Sequence, residues 1–277
     1  MSRYENPQLP DDVNVGRENP LTEFLRLAAG LALLALVIGA ALYFGGSQLA
    51  RLIPFETERD WVGERLAPGS GLPAAPGNAE IRDYLQALTD RLAAQMDLPA
   101  GMTLRAHYVD TEIANAFASL GGHIAVTRGL YRRLPSENAL SLVIAHEIAH
   151  VRARDPIAGI GGSAALLLVM SLVTGDASAL SGAFAGVVQR GYSRRAETAA
   201  DTRAIDALRR HYGHAGGGTA VFKTFAQLRT AHGGEPPALL STHPLDAERI
   251  ARLQQAAAGW DAAAQPLVPL RLVDERP

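Results

Sequence analysis

The stretch His146-Glu147-Ile148-Ala149-His150 is where this chain can do chemistry. Histidines four apart on an α-helix lie one above the other on the same face, so both imidazoles can reach a single cation. Glu147 lies next to that face. It can touch a metal-bound water without binding the metal. Two ligands, an adjoining base and an open coordination position are what a zinc hydrolase needs. The surrounding segment, Ala139 to Val151, is apolar and free of proline. Ser136 is placed to cap a helix there and Glu137 favours its positive end, while Asp155-Pro156 stops it. Leu140, Val143, Ile144, Ile148 and Val151 predict a buried helix, so its histidines and glutamate need partners. The alternative to a metal is a set of satisfied polar core residues.

A third ligand must come from elsewhere in the chain. Glu197 and Asp201 are also four apart, on a second helix predicted from about Val188 to Tyr212. Glu197 can complete a His146, His150, Glu197 set for one zinc ion per chain. Asp201, one turn later, can accept a hydrogen bond from the far nitrogen of a ligand histidine, fixing its tautomer and raising its basicity. Ala196, Ala199 and Ala200 are small enough for two helices to approach closely at the metal. The competing reading is a solvated charged face, since Arg194, Arg195, Arg203 and Asp206 are neighbours.

With H-E-x-x-H followed by E-x-x-x-D, the chain resembles the gluzincins. Asn115-Ala116-Phe117-Ala118, then Gly121-Gly122-His123 through Leu130, then Ser241-Thr242-His243-Pro244 with Arg249-Ile250, narrow the likeness. The chain is similar, from about Ile81 to Leu253, to the membrane-associated zinc metallopeptidase family of the CAAX prenyl endopeptidase and HtpX. The resemblance implies a helical zincin domain with a small edge-strand sheet and a metal-dependent endopeptidase activity on protein or peptide substrates. It implies that Asn115 holds the substrate backbone, that His243 points at the oxyanion formed during attack, and that Arg249 braces the site. Asp155 departs from the pattern: relatives often carry a histidine there, closing an Arg-His pair.

The elements that position these residues are legible in part. Thr103 to Val109 alternates like a strand, and Ile113 to Ala118, Gly121-Gly122 and Ile124 to Thr127 read as strand, turn, strand. An exposed edge strand lets an extended substrate add by main-chain hydrogen bonds. Asn78 is placed to cap a helix bearing Ile81, Leu85, Leu88, Leu92 and Met96 on one face. Pro244 suits the first turn of a helix from Leu245 to Ala257. His107, His211, His214 and His232 lack ligand spacing and read as surface or loop residues, and His123 as a strand residue.

Between Arg26 and Arg51 the chain carries no charge, and residues 27–44 are long and apolar enough to cross a bilayer, with Tyr43 and Phe44 at the interface. A cleaved signal peptide fits less well, because acidic residues precede the stretch and no small-x-small site follows. The organisation expected is a polar tail 1–26, a transmembrane helix 27–44, a linker 45–77, a metallopeptidase domain 78–260 and a C-terminal tail 261–277. The fold class expected is mainly α with a small β-sheet (α+β), behind one N-terminal transmembrane helix. A second apolar stretch, Ile157 to Thr174, lies between His150 and Glu197. Both must reach one ion, so a single crossing there is excluded; the stretch is expected to pack over the active-site helix or lie in the membrane interface.

The 277 residues include no cysteine, which rules out disulfides and a lipoprotein anchor. A net charge of −2 leaves no nucleic-acid footprint. The function expected is a membrane-anchored, single-pass zinc endopeptidase with its catalytic domain on the extracytoplasmic side, acting in membrane or envelope protein quality control. Arginines on both sides of the span leave the orientation undecided by charge. The alternatives are a non-proteolytic chaperone or adaptor on the same scaffold, or a purely structural zinc.

Overall fold

The computed structural model describes residues 19–63, 79–174, 191–231, 243 and 247–271. The chain divides into two units, Met1–Leu42 and Tyr43–Pro277. Most of helix α1 (Pro20–Ala50) forms the first. Asn19 accepts from the Leu21 amide at 3.0 Å, and Pro20 takes the first helical position. The helix therefore begins well before the apolar run that betrays it, and it continues past residue 44. Leu27, Leu31, Leu34 and Val37 on it are exposed. Among the described residues α1 is the one helix long and apolar enough to cross a membrane.

The second unit is helical with a three-stranded sheet. Helix α2 (Phe55–Gly63) occupies part of the segment expected to be a linker. Helix α3 (Ala79–Ala93) buries Ile81, Leu85, Leu88 and Leu92, the stripe its periodicity predicts. Strands β1 (Arg105–Val109), β2 (Ala116–Ala118) and β3 (His123–Thr127) follow in spatial order β1-β3-β2. β1 and β3 run parallel with Arg105 opposite His123; β2 runs antiparallel with Phe117 opposite Ala125. Gly121 and Gly122, between β2 and β3, have φ of 68° and 80°. A Cβ on Gly122 would lie 2.0 Å from the Thr103 carbonyl oxygen, so the turn requires glycine.

A short helix α4 (Arg128–Tyr131) leads to α5 (Glu137–Arg152), buried from Glu137 to Val151. Its Ser136 cap accepts from the Ala139 amide at 3.2 Å. Glu137 in its first turn accepts from the hydroxyls of Tyr84 at 2.7 Å and Tyr212 at 2.8 Å. These bonds fix the near end of the helix to α3 and to α7 (Arg194–Tyr212), which starts later than expected, capped by Ser193. Ala200, Ala204 and Ala207 on α7 are buried, and their small side chains let α7 lie close along α5. Helices α8 (Ala220–Ala231) and α9 (Ala247–Ala256) complete the described elements.

The C-terminal stretch, expected only as a tail, is docked as far as Arg271. The Glu137 amide donates to the Val268 carbonyl at 2.9 Å, and the Val268 amide to Asn138 Oδ1 at 2.9 Å. His214 is buried against Trp260 rather than on the surface, and His107 is hydrogen-bonded to His123 at 2.7 Å inside the sheet. Burial, with the charges of His107 and Arg105, holds His123 down to about 4, so its ring is neutral at pH 7. Residues 1–18, the Pro- and Gly-rich part of the linker with Asn78, the segment Ala177 to Val188, His232, Ser241-Thr242, Pro244 and residues 272–277 lie outside the described residues.

Helix α6 (Asp155–Thr174) is the second apolar stretch. Ile157 and Ala158 at its start are buried, and its glycines meet the last turns of α1. A Cβ on Gly161 would lie 2.3 Å from Ala50 Cβ and 2.6 Å from the Gly46 carbonyl oxygen; one on Gly162 would meet Ser47 and Tyr43. The two helices cross at a distance only glycine permits. Gly161→Ala is expected to destabilise the protein by about 1–3 kcal/mol through overpacking. Gly30→Ala, where a Cβ meets nothing within 4 Å, should be neutral or stabilising by about 0.5–1 kcal/mol. Thermal unfolding of both variants in detergent checks the contrast.

Candidate metal centre

His146 and His150 project from the same face of α5, their rings edge to face with centroids 4.7 Å apart. Each ring is held from behind by a carboxylate. His146 Nδ1 lies 3.0 Å from Asp201 Oδ1, and His150 Nδ1 lies 2.9 Å from Asp155 Oδ2. A carboxylate accepts only, so each Nδ1 carries the proton. In the neutral rings both Nε2 atoms then present lone pairs, and they face each other at 3.1 Å. Glu197 of α7 closes the group, with its oxygens 3.3 Å from His146 Nε2 and 3.5 Å from His150 Nε2. Four buried residues, His146, His150, Glu197 and His243, offer donor atoms within 4.8 Å of one another.

The spacing fits a metal. Tetrahedral ligands about 2.0–2.1 Å from zinc stand about 3.3 Å from each other. The separations here, from 2.9 to 3.5 Å, scatter around that value. His146, His150 and Glu197, the expected ligand set, are brought together. His243 stands closer than an oxyanion donor needs to. Its Nδ1 is 2.9 Å from Glu197 and 3.2 Å from His146 Nε2, and its Nε2 is 3.4 Å from Glu147. It offers a donor atom within 4.8 Å of those of the other three residues.

Arg249 of α9 is buried and spans the back of the group. It donates to both oxygens of Asp201, at 2.7 and 2.8 Å, and its remaining nitrogen lies 2.7 Å from Glu197 Oε2. Bidentate pairing of this kind is strong and directional. Burial pushes the Asp201 and Glu197 carboxyls up, but the hydrogen bonds from Arg249 and the histidines outweigh it and hold both below the usual range. Burial lowers His146, but Asp201 and Glu197 raise it further, to about 9.

Glu147 is 1% exposed, and neither of its oxygens has a hydrogen-bond partner among the described residues. Buried carboxylates are rarely left so, and this one faces a pocket of about 50 Å³ shared with His146 and His243. Asp201 and Arg249 also line that pocket, and Val143, Val221, Phe222, Phe225 and Leu253 make most of the rest apolar. Asn115 stands immediately before β2. Its amide donates to the Thr127 hydroxyl and its carbonyl accepts from Thr127, while its buried Oδ1 has no partner among the described residues.

Two neighbours escape sequence reasoning. Asp155, read as a helix stop, is the partner of His150. Tyr192 stacks on His150 with ring centroids 4.0 Å apart, and lies 5.4 Å from His243. Its only sequence signal is an aromatic residue just ahead of the Ser193 cap, the position of a hydrophobic staple.

The sequence profile of Peptidase family M48 matches residues 80–257, well over half of the chain. The chain belongs to that family. The beta-barrel assembly-enhancing protease of Escherichia coli is 28% identical over 200 residues, covering 62% of this chain and 40% of its own. A protease HtpX homolog of Acidiphilium cryptum is 32% identical over 169 residues, covering 52% and 57%. Metalloprotease YcaL of Escherichia coli is 29% identical over 152 residues, covering 52% and 58%. This chain thus spans well under two thirds of the relatives it matches. The chain thus carries an M48 peptidase domain, and the buried His and Glu group inside it can hold a metal.

The metal-free protein has a distinctive pH dependence. His146, raised to about 9 in the fold from about 6.5 unfolded, stabilises fully below pH 6.5 and loses that contribution as pH rises toward 9. Glu197, depressed in the fold, contributes above its unfolded value and loses this in acid. In chelator the melting temperature should fall from pH 6.5 to 9. With zinc that limb should flatten or reverse, because metal binding needs deprotonated ligands. Thermal unfolding across the range, with and without zinc, checks both limbs.

Proposed function

We propose that this M48 protein is a membrane-anchored zinc endopeptidase, with His146, His150 and Glu197 as ligands and Glu147 as base. The observation that carries the reading is Glu147, a buried carboxylate without a hydrogen-bond partner among the described residues, placed beside three matched donors. A structural zinc has no use for a free base at its edge, and neither has an adaptor. Bound there, zinc would polarise water and the scissile carbonyl. Glu147 takes the proton of the attacking water and delivers it to the leaving amine. Asn115, with its unpartnered Oδ1 next to the free edge of β2, holds the substrate main chain in extended form. The apolar pocket beside Glu147 favours an apolar side chain next to the cut bond.

Helix α1 supports a single crossing of the membrane. One relative is named for β-barrel assembly; by that analogy the catalytic domain lies on the extracytoplasmic side and acts on envelope proteins.

His243 supports two roles. As an oxyanion donor it serves turnover; as a fourth ligand it closes the position a catalytic site keeps open. His243→Ala separates them: a drop in turnover of about a hundredfold at unchanged metal content assigns the donor role, and a rise in turnover assigns the fourth-ligand role.

The full-length protein in detergent should carry about one zinc per chain by elemental analysis and lose casein cleavage with a chelator. Glu147→Gln should keep the metal and lower cleavage by about a hundredfold or more. Cleavage by Glu147→Gln at the wild-type rate would overturn the mechanism.

A further inference from the structure

Immediately after α5 the chain makes a tight bend on Arg154, whose φ of 59° is unusual for a non-glycine residue. Arg154 and Asp155 follow the ligand His150 by four and five positions, and both are gripped by one short segment, residues 51–58. Arg51, the residue after α1, donates to Asp155 Oδ1 at 2.9 Å. The other oxygen of the same carboxylate faces His150 Nδ1 at 2.9 Å. Arg154 donates to the Ile53 carbonyl at 2.8 Å and to Glu58 Oε2 at 2.6 Å, with its guanidinium over the Phe55 ring. Glu58, buried on α2, accepts from the Gly121 amide at 2.8 Å through its second oxygen. One segment thus ties down the end of the ligand helix and the turn of the edge hairpin.

The arrangement has a chemical consequence. A carboxylate on Nδ1 fixes the imidazole tautomer that leaves Nε2 free to bind metal, and raises its basicity. That works only while the carboxylate keeps its angle. Among the described residues Arg51 is its second side-chain partner beside His150. With Oδ1 pinned by the guanidinium, Oδ2 stays aimed at the ring.

We propose that Asp155 and Arg51 are positioning residues for the metal, Asp155 acting on His150 and Arg51 acting through Asp155. On this view the segment following α1 is part of the metal site. The proposal rests on His150 being a zinc ligand.

The Arg51 side chain is 39% exposed, so its ion pair contributes little to folding by itself. Metal affinity and fold stability can therefore be separated. The experiment uses the full-length protein in detergent, titrated with zinc against a chromophoric chelator, alongside thermal unfolding of each metal-free variant. Asp155→Ala should weaken zinc binding about ten- to a hundredfold, the usual effect of removing such a partner. Arg51→Ala, one bond further out, should weaken it about three- to tenfold with an unchanged metal-free melting temperature, and Arg51→Lys should recover much of the loss. In the Asp155→Ala background, Arg51→Ala should have no further effect, since the two act in series. Wild-type affinity in Arg51→Ala, or effects that multiply in the double variant, would overturn the proposal. Failure of the wild-type protein to bind zinc would overturn the metallopeptidase reading beneath it instead.

Discussion

Two imidazole nitrogens that face each other with their lone pairs at 3.1 Å, beside a carboxylate and inside a protein, repel unless a cation lies among them. Everything else around this centre follows from that constraint. The protons that could relieve it are committed elsewhere, because both Nδ1 atoms are turned toward carboxylates. In the metal-free protein a bound proton can answer the need: burial lowers His146, but Asp201 and Glu197 raise it further, toward about 9. A divalent ion answers it better, since it satisfies all the donors at once. The fold has been built to hold an arrangement that is unfavourable when empty.

Around the donors the charges alternate outward. Asp201 and Asp155 stand behind the histidines, and Arg249 and Arg51 stand behind the aspartates. Each layer offsets the charge of the one inside it, and Glu147 stands outside this pattern. The inner half of this pattern depends on close helix packing. The alanines of α7 let Glu197 and Asp201 reach α5, and the bonds from Tyr84 and Tyr212 to Glu137 fix the near end of that helix. The outer half depends on ion pairs from segments distant in sequence, 48 residues for Arg249 and Asp201 and 104 for Arg51 and Asp155.

That difference sets what the sequence could reveal. His146, His150, Glu197 and Asp201 are each half of an i, i+4 pair, and a helix turns such spacing directly into geometry. The stripe of α3 and the glycine turn were readable for the same reason, since their signals are local. Asp155 was not, because its partner Arg51 has no sequence relation to it, and an Asp-Pro pair reads first as a helix stop. The start of α1 lies outside the apolar run, because hydropathy marks the span, whereas the Asn19-Pro20 cap decides where the helix begins. Helix α2 carries no periodic apolar signal; it forms where Glu58 can reach Arg154 and the Gly121 amide. His214 looked like a loop residue and is buried by Trp260, a contact made by a tail without periodicity.

The family match begins at residue 80, and the donors all fall inside it. The match therefore spans the donor group, Glu147 and the Asp201–Arg249 pair. Asp155, which holds His150 from behind, also lies inside it, whereas Arg51, which holds Asp155, precedes it. Arg51 sits where the apolar helix hands over to the catalytic unit. Whatever fixes the last turn of α1 at Gly46 and Gly161 also fixes the place of Arg51, and through it the far face of one ligand.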